Sequence, residues 1–230
     1  MQLRSLALVL LASSVALAAC EDDDPTGPGS SNNATVRFIN ATSTSLDIGQ
    51  GGTVATGNGA LAYGTFSNCL TVDATNANVA VRQTGTSTAL TGFTPAFQPG
   101  GNYTVIVYPG AGGTTQFTTV ANAFTPAAGQ GGLRVFNAAG TGTNYDIYVG
   151  APGAALGSPA ANNISYGSGS SYFNVATNAA QQVRLTNAGS QTVVLDVGNR
   201  SFAAGQNATL VIAPPATGAV PRAFYVNGCT

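Results

Sequence analysis

Leu133-Arg134-Val135-Phe136-Asn137-Ala138, followed by Tyr145-Asp146-Ile147-Tyr148-Val149, nearly repeats a stretch about a hundred residues upstream. There Val36-Arg37-Phe38-Ile39-Asn40-Ala41 is followed by Leu46-Asp47-Ile48. The correspondence continues in order: Leu61-Ala62-Tyr63-Gly64 with Ile164-Ser165-Tyr166-Gly167, Leu70-Thr71-Val72 with Phe173-Asn174-Val175, and Val81-Arg82 with Val183-Arg184. It is strongest late, where Phe97-Gln98-Pro99-Gly100-Gly101-Asn102-Tyr103-Thr104-Val105-Ile106 faces Phe202-Ala203-Ala204-Gly205-Gln206-Asn207-Ala208-Thr209-Leu210-Val211. Constant order with small insertions means one domain written twice, since a period this long describes tandem domains rather than a solenoid.

Each copy reads as strands. Short runs rich in Val, Ile, Thr, Tyr and Phe are separated by Gly, Asn, Pro and Ser turn signals. Val36/Phe38, Leu46/Ile48, Leu70/Val72 and Tyr145/Ile147/Val149 alternate with polar neighbours, so one face of each strand points to a core. The expected fold is all-β, with two tandem immunoglobulin-like β-sandwich domains. Neither copy has the Cys pair or the Trp of antibody domains. The expected division is 34–124 for the first domain, 125–131 for a Gly-rich linker and 132–230 for the second. Such a linker permits relative motion unless an interface or a bridge prevents it.

The (L/V)-R-x-x-N-A strand, the (L/Y)-D-I strand, the Y-G turn and the late F-x-x-G-x-N-x-T strand resemble domain-of-unknown-function family 4397. The resemblance covers nearly all of the chain beyond its leader. It implies repeated β-sandwiches in bacterial secreted proteins and lipoproteins, and it carries no biochemical activity.

The first residues read as targeting information. Arg4 precedes an apolar run from Leu6 to Leu17, too short for a comfortable span, so 1–19 reads as a signal peptide. Leu17-Ala18-Ala19-Cys20 is similar to a bacterial lipobox, which implies cleavage before Cys20, lipidation of its thiol and attachment to the membrane. Residues 20–33 hold Glu21, Asp22, Asp23 and Asp24 with Pro, Gly, Ser and Asn, and read as a flexible acidic tether. The expected place is the cell envelope, anchored to the outer membrane, with either the surface or the periplasmic face open.

Charge is scarce at 7%, and His, Lys and Trp are absent. Without a basic stripe, nucleic acid is excluded as a partner. Without His there is neither an ordinary catalytic triad nor an imidazole metal cluster. The remaining carboxylates, Asp47, Asp73, Asp146 and Asp196, form no pair or calcium-loop spacing. No enzyme activity, cofactor or metal is expected.

Four candidate groups remain. Arg37 and Asp47 return as Arg134 and Asp146, and all four point away from their strands' core faces. If the two strands are neighbours, each pair forms a structural ion pair; the functional alternative is a charged binding spot in each domain. Tyr63 and Tyr166 stand at turn-like boundaries. Either their rings pack on a sheet edge, or they form a sugar-stacking platform with Tyr148 or Tyr172. Cys69 and Cys229 are bridged, free, or paired between molecules. A bridge requires the two domains to fold back on each other. The low-charge sheet edges also leave room for strand addition by a partner. The function these features suit is surface presentation, as an adhesion, scaffold or protein-interaction module with an envelope protein or polysaccharide as partner. The alternative is a glycan-binding module using the loop-end Tyr residues. No oligomeric state is read from the sequence.

Overall fold

The structure, a computed structural model, describes residues 32–140 and 142–229. The signal peptide, Cys20 and nearly all of the tether lie outside the described residues. The chain is all-β, with fifteen strands in four sheets among the described residues. The first unit contributes β1 (Asn33–Asn40), β2 (Leu46–Gln50), β3 (Thr53–Val54), β4 (Leu70–Asp73), β5 (Val79–Gln83), β6 (Asn102–Pro109) and β7 (Thr115–Ala121). The second contributes β8 (Gln130–Asn137), β9 (Tyr145–Gly150), β10 (Ala161–Ile164), β11 (Phe173–Ala176), β12 (Gln181–Asn187), β13 (Val193–Arg200), β14 (Asn207–Ala213) and β15 (Arg222–Asn227).

Each unit is a two-sheet sandwich. One sheet runs β4-β1-β6-β7 and its counterpart β11-β8-β14-β15; the other sheets are β3-β2-β5 and β10-β9-β12-β13. Within this plan β1 pairs parallel with β6, Val36 opposite Tyr103, and β8 pairs parallel with β14, Leu133 opposite Ala208. The remaining strand pairs are antiparallel. The units differ at one edge: β13 pairs along β12, whereas β5 has only a single bridge from Arg82 to Ala89 at that place.

Alternation along the strands builds the two cores. Val36, Phe38, Leu46, Ile48, Val105 and Val107 meet inside the first sandwich; Leu133, Val135, Ile147, Leu185, Leu210 and Ile212 meet inside the second. The parallel strands are also apolar on their other side. Ile39, Ile106 and Tyr108 pack against Phe136, Val211 and Val226 in a third core between the units. Val105-Ile106-Val107-Tyr108 and Leu210-Val211-Ile212-Ala213 are therefore continuous buried runs, as parallel strands covered on both faces require. The sheets stack four deep, and the docked faces hold the units together across the linker. Each large apolar side chain in the third core contributes about 1.5–3 kcal/mol by leaving water.

Candidate functional site

The recurring polar residues sit on strands and bind neighbouring turns, strand ends or the other unit. The Asn closing the first strand of each copy is fully buried. Asn40 Nδ2 donates to the Thr44 and Leu61 carbonyls at 2.7 and 2.8 Å, and its Oδ1 accepts from Thr42 N at 2.8 Å. Asn137 repeats the pattern with the Thr143 and Ile164 carbonyls and with Ala139 N. An amide fits because it donates twice and accepts at once.

The expected pairing of Arg37 with Asp47, and of Arg134 with Asp146, is not what the structure contains. β1 and β2 belong to opposite sheets of the sandwich, as do β8 and β9, so side chains pointing away from the shared core diverge. The carboxylates clamp loops instead. Asp47 accepts from Ala60 N at 2.7 Å, Thr84 Oγ1 at 3.0 Å and Gly85 N at 3.3 Å. Asp146 accepts from Asn163 N at 2.7 Å and Gly189 N at 2.8 Å. Ala60 and Asn163 share a left-handed conformation, φ 51° and 52°. The Ala60 amide, with Thr84 and Gly85 helping, holds the Asp47 carboxyl below its ordinary range against the opposing effect of burial.

The arginines cross between units. Arg37 Nη1 donates to the Asn227 carbonyl at 2.8 Å, and Nη2 lies 3.0 Å from Cys69 Sγ. Arg134, 7% exposed, donates to the Ala121 carbonyl at 2.6 Å, to Asn122 Oδ1 at 2.7 Å and to Thr209 Oγ1 at 2.9 Å. Its guanidinium carbon sits 4.6 Å from the centre of the Tyr172 ring. Burial lowers the pKa of both arginines, and the three hydrogen bonds and the ring face offset the desolvation of Arg134.

Tyr63 and Tyr166 form no open platform. The Tyr63 hydroxyl donates to the Pro214 carbonyl of the second unit, and the Tyr166 hydroxyl to the Pro109 carbonyl of the first. Their rings pack edge-on against Phe224 and Tyr108 at 5.1 and 5.7 Å. Burial raises the pKa of both phenols. Gly64, at φ 77°, passes so close to the Phe224 ring that a side chain there would collide with it, which accounts for the Gly of the Y-G turn. Tyr172 stacks on Phe124, at the end of the first unit, at 5.1 Å and 11°. Tyr148 is 3% exposed, its hydroxyl accepting from Gln191 Nε2 at 3.3 Å. Tyr63 and Tyr166 both border the third core, whereas Tyr172 and Tyr148 have other neighbours, and each ring is engaged by its own contacts.

Cys69 and Cys229 are joined by a disulfide, with Cα atoms 5.8 Å apart. It ties the end of the second unit to the strand entry of β4. Cys229 is held further by Asn102, whose Nδ2 donates to its carbonyl. The carbonyl acceptors of Pro109 and Pro214, and the ring of Phe124, are functional contacts that sequence reading passed over. The one available signal is that Tyr108-Pro109 and Ala213-Pro214 fall at matching places in the two copies.

A cleft of about 500 Å³ opens where the third core ends, lined by Thr42, Ser43, Tyr63, Pro109, Thr115 and Pro214 among others. It contains hydroxyls, prolines and one aromatic ring, and no charged residue lines it. Among the described residues no group of three His, Cys, Asp or Glu could hold a metal ion. Among them also, no helix is long and apolar enough to cross a membrane.

Residues 34–143, the whole first unit together with β8, match the family model described as "Domain of unknown function (DUF4397)". No curated protein matches the chain.

Proposed function

We propose that the chain is a non-enzymatic, lipid-anchored module of the cell envelope that works by presenting one rigid double-sandwich surface to a protein partner, as an adhesin or scaffold. The supporting observation is where the rare charged and aromatic residues are spent. Arg37, Arg134, Tyr63 and Tyr166 all bind across the two units, and Asp47 and Asp146 hold loops. The outer surface keeps only scattered charges, among them Asp73, Asp196 and Arg222, and is suited to extended contacts with little charge steering. A lipid on Cys20 would place this body at the outer membrane. Protease treatment of intact cells, followed by binding of the purified soluble body to whole cells, tests the reading. Cleavage at the surface with saturable cell binding is expected; full protection together with no cell binding would sink it.

A second reading, binding of a neutral glycan, draws on the uncharged cleft beside Tyr63, whose size suits a small ligand. A glycan array decides between them. Saturable sugar binding that is lost on Thr115→Trp, which fills the cleft, would favour this reading. Silence on the array alongside cell binding favours the first.

A further inference from the structure

The contacts between the units come in exchanged pairs. Arg37 of the first unit binds the Asn227 carbonyl of the second, and Arg134 of the second binds the Ala121 carbonyl of the first. These acceptors occupy one structural position: Ala121 lies opposite Tyr103 on β6, and Asn227 opposite Ala208 on β14. Tyr103 and Ala208 in turn lie opposite Val36 and Leu133, the residues just before the two arginines. Tyr63 binds the Pro214 carbonyl and Tyr166 the Pro109 carbonyl, the prolines ending or following the equivalent strands β6 and β14. Ile39 and Ile106 meet their counterparts Phe136 and Val211 in the same core. Residue i of one unit touches j of the other while j touches i, the arrangement a two-fold axis imposes on identical subunits.

We propose that this face is also the surface through which two copies of the chain pair, by exchanging units. The first unit of one chain docks on the second unit of the other, and the reverse, so that every contact of the closed monomer is made twice between chains. The linker favours the closed form by holding the units at high effective concentration, and crowding of chains favours the exchanged form. The disulfide fixes whichever form is present when it closes. In a glutathione buffer the Cys69 and Cys229 thiols each lose a proton, and their two electrons reduce one glutathione disulfide to two glutathione thiols. The same Cys69–Cys229 bond results within one chain or between two. The other side of the face is fastened by Tyr172 stacked on Phe124 and therefore adds no second bond.

The test uses two full chains, Cys69→Ser and Cys229→Ser, unfolded, mixed and refolded together in glutathione buffer. Neither can close its own bond. An exchanged heterodimer brings Cys69 of one chain against Cys229 of the other, and mass spectrometry of the peptides identifies that link. The expected result is a Cys69–Cys229 heterodimer whose yield rises with protein concentration. The yield should fall by about tenfold or more when both chains carry Val211→Asp, which buries a charge in the face. Folded chains without this link, or a yield unchanged by Val211→Asp, would overturn the proposal. Should the Ser variants fail to fold, the parent chain refolded at rising concentration must itself give disulfide-linked dimers on non-reducing gels, with Cys69–Cys229 and not Cys20 as the link in the peptides of the dimer band. Their absence there overturns it equally.

Discussion

Asp146 illustrates what one buried carboxylate does in a chain with few charges. It binds two amides, Asn163 in β10 and Gly189 in the turn after β12, and so ties that strand to that turn. Asp146→Ala should lower stability by about 1–3 kcal/mol, the worth of part-buried hydrogen bonds to a charged acceptor; an unchanged denaturant midpoint would refute this. Asp47 adds a pH signature. Its carboxyl is held below the ordinary value, so its stabilisation is complete above the unfolded carboxyl pKa of about 3.9 and is lost as pH falls through the lower folded value. The gap in stability between the parent and Asp47→Asn should therefore be largest near neutral pH and close in acid, as urea titrations at several pH values would record. Arg134 and Arg37 sit at equivalent places but differ in enclosure. Arg134 is buried with three hydrogen bonds and the Tyr172 ring at 4.6 Å, whereas Arg37 is half-buried with the Asn227 carbonyl, the Cys69 sulfur and the Phe66 ring at 5.2 Å. Arg134→Ala should cost about 2–3 kcal/mol and Arg37→Ala less, a ranking that melting curves test directly. That these residues serve the fold was legible from their repetition. Their partners were not, because a strand's local pattern does not say which of two sheets it joins, and that choice decides whether Arg and Asp face each other.

At the scale of strands, the alternation of Val36/Phe38 and Leu46/Ile48 was enough to point to sandwiches with one core each. It was not enough for β6 and β14. Val105 to Tyr108 and Leu210 to Ala213 are apolar without a break, and that continuity is the mark of a strand covered on both sides. Those two runs carried the docking of the units in plain text, beneath a stronger period-two signal from their neighbours. The consequence is cooperative: with a shared third core, the two units should melt together in a single calorimetric transition. Val211→Asp places an unpaired charge on the shared face while leaving Leu210 and Ile212 in their own core. It should remove about 3–5 kcal/mol and split the transition in two; a single unsplit peak would count against the third core as the coupling element.

For the whole molecule, the disulfide and the docked faces act on different states. The faces stabilise the native form directly, whereas the bond between Cys69 and Cys229, 160 residues apart in sequence, chiefly restricts the unfolded chain. Loop entropy puts its contribution at about 5 kcal/mol. Reduction should therefore lower the denaturant midpoint while leaving the folded dimensions unchanged in small-angle scattering; expansion of the reduced native protein would contradict the docked arrangement. The position of the bond was open from sequence, since only three-dimensional closure could bring residue 229 back to residue 69.

That closure also decides how the molecule bears load. Residues 69 to 229 form a covalent ring, so a pull applied between the amino terminus and the last residues runs through the bond and bypasses the polypeptide inside it. Among the described residues only the stretch from Asn32 to Cys69, with β1 sheared from β6, can pay out as rope; the second unit behaves as an inextensible bead on the line. A body hung from its amino end would yield to hydrodynamic drag only along the segment that precedes the ring, and would lengthen fully only after a reductant opens the ring.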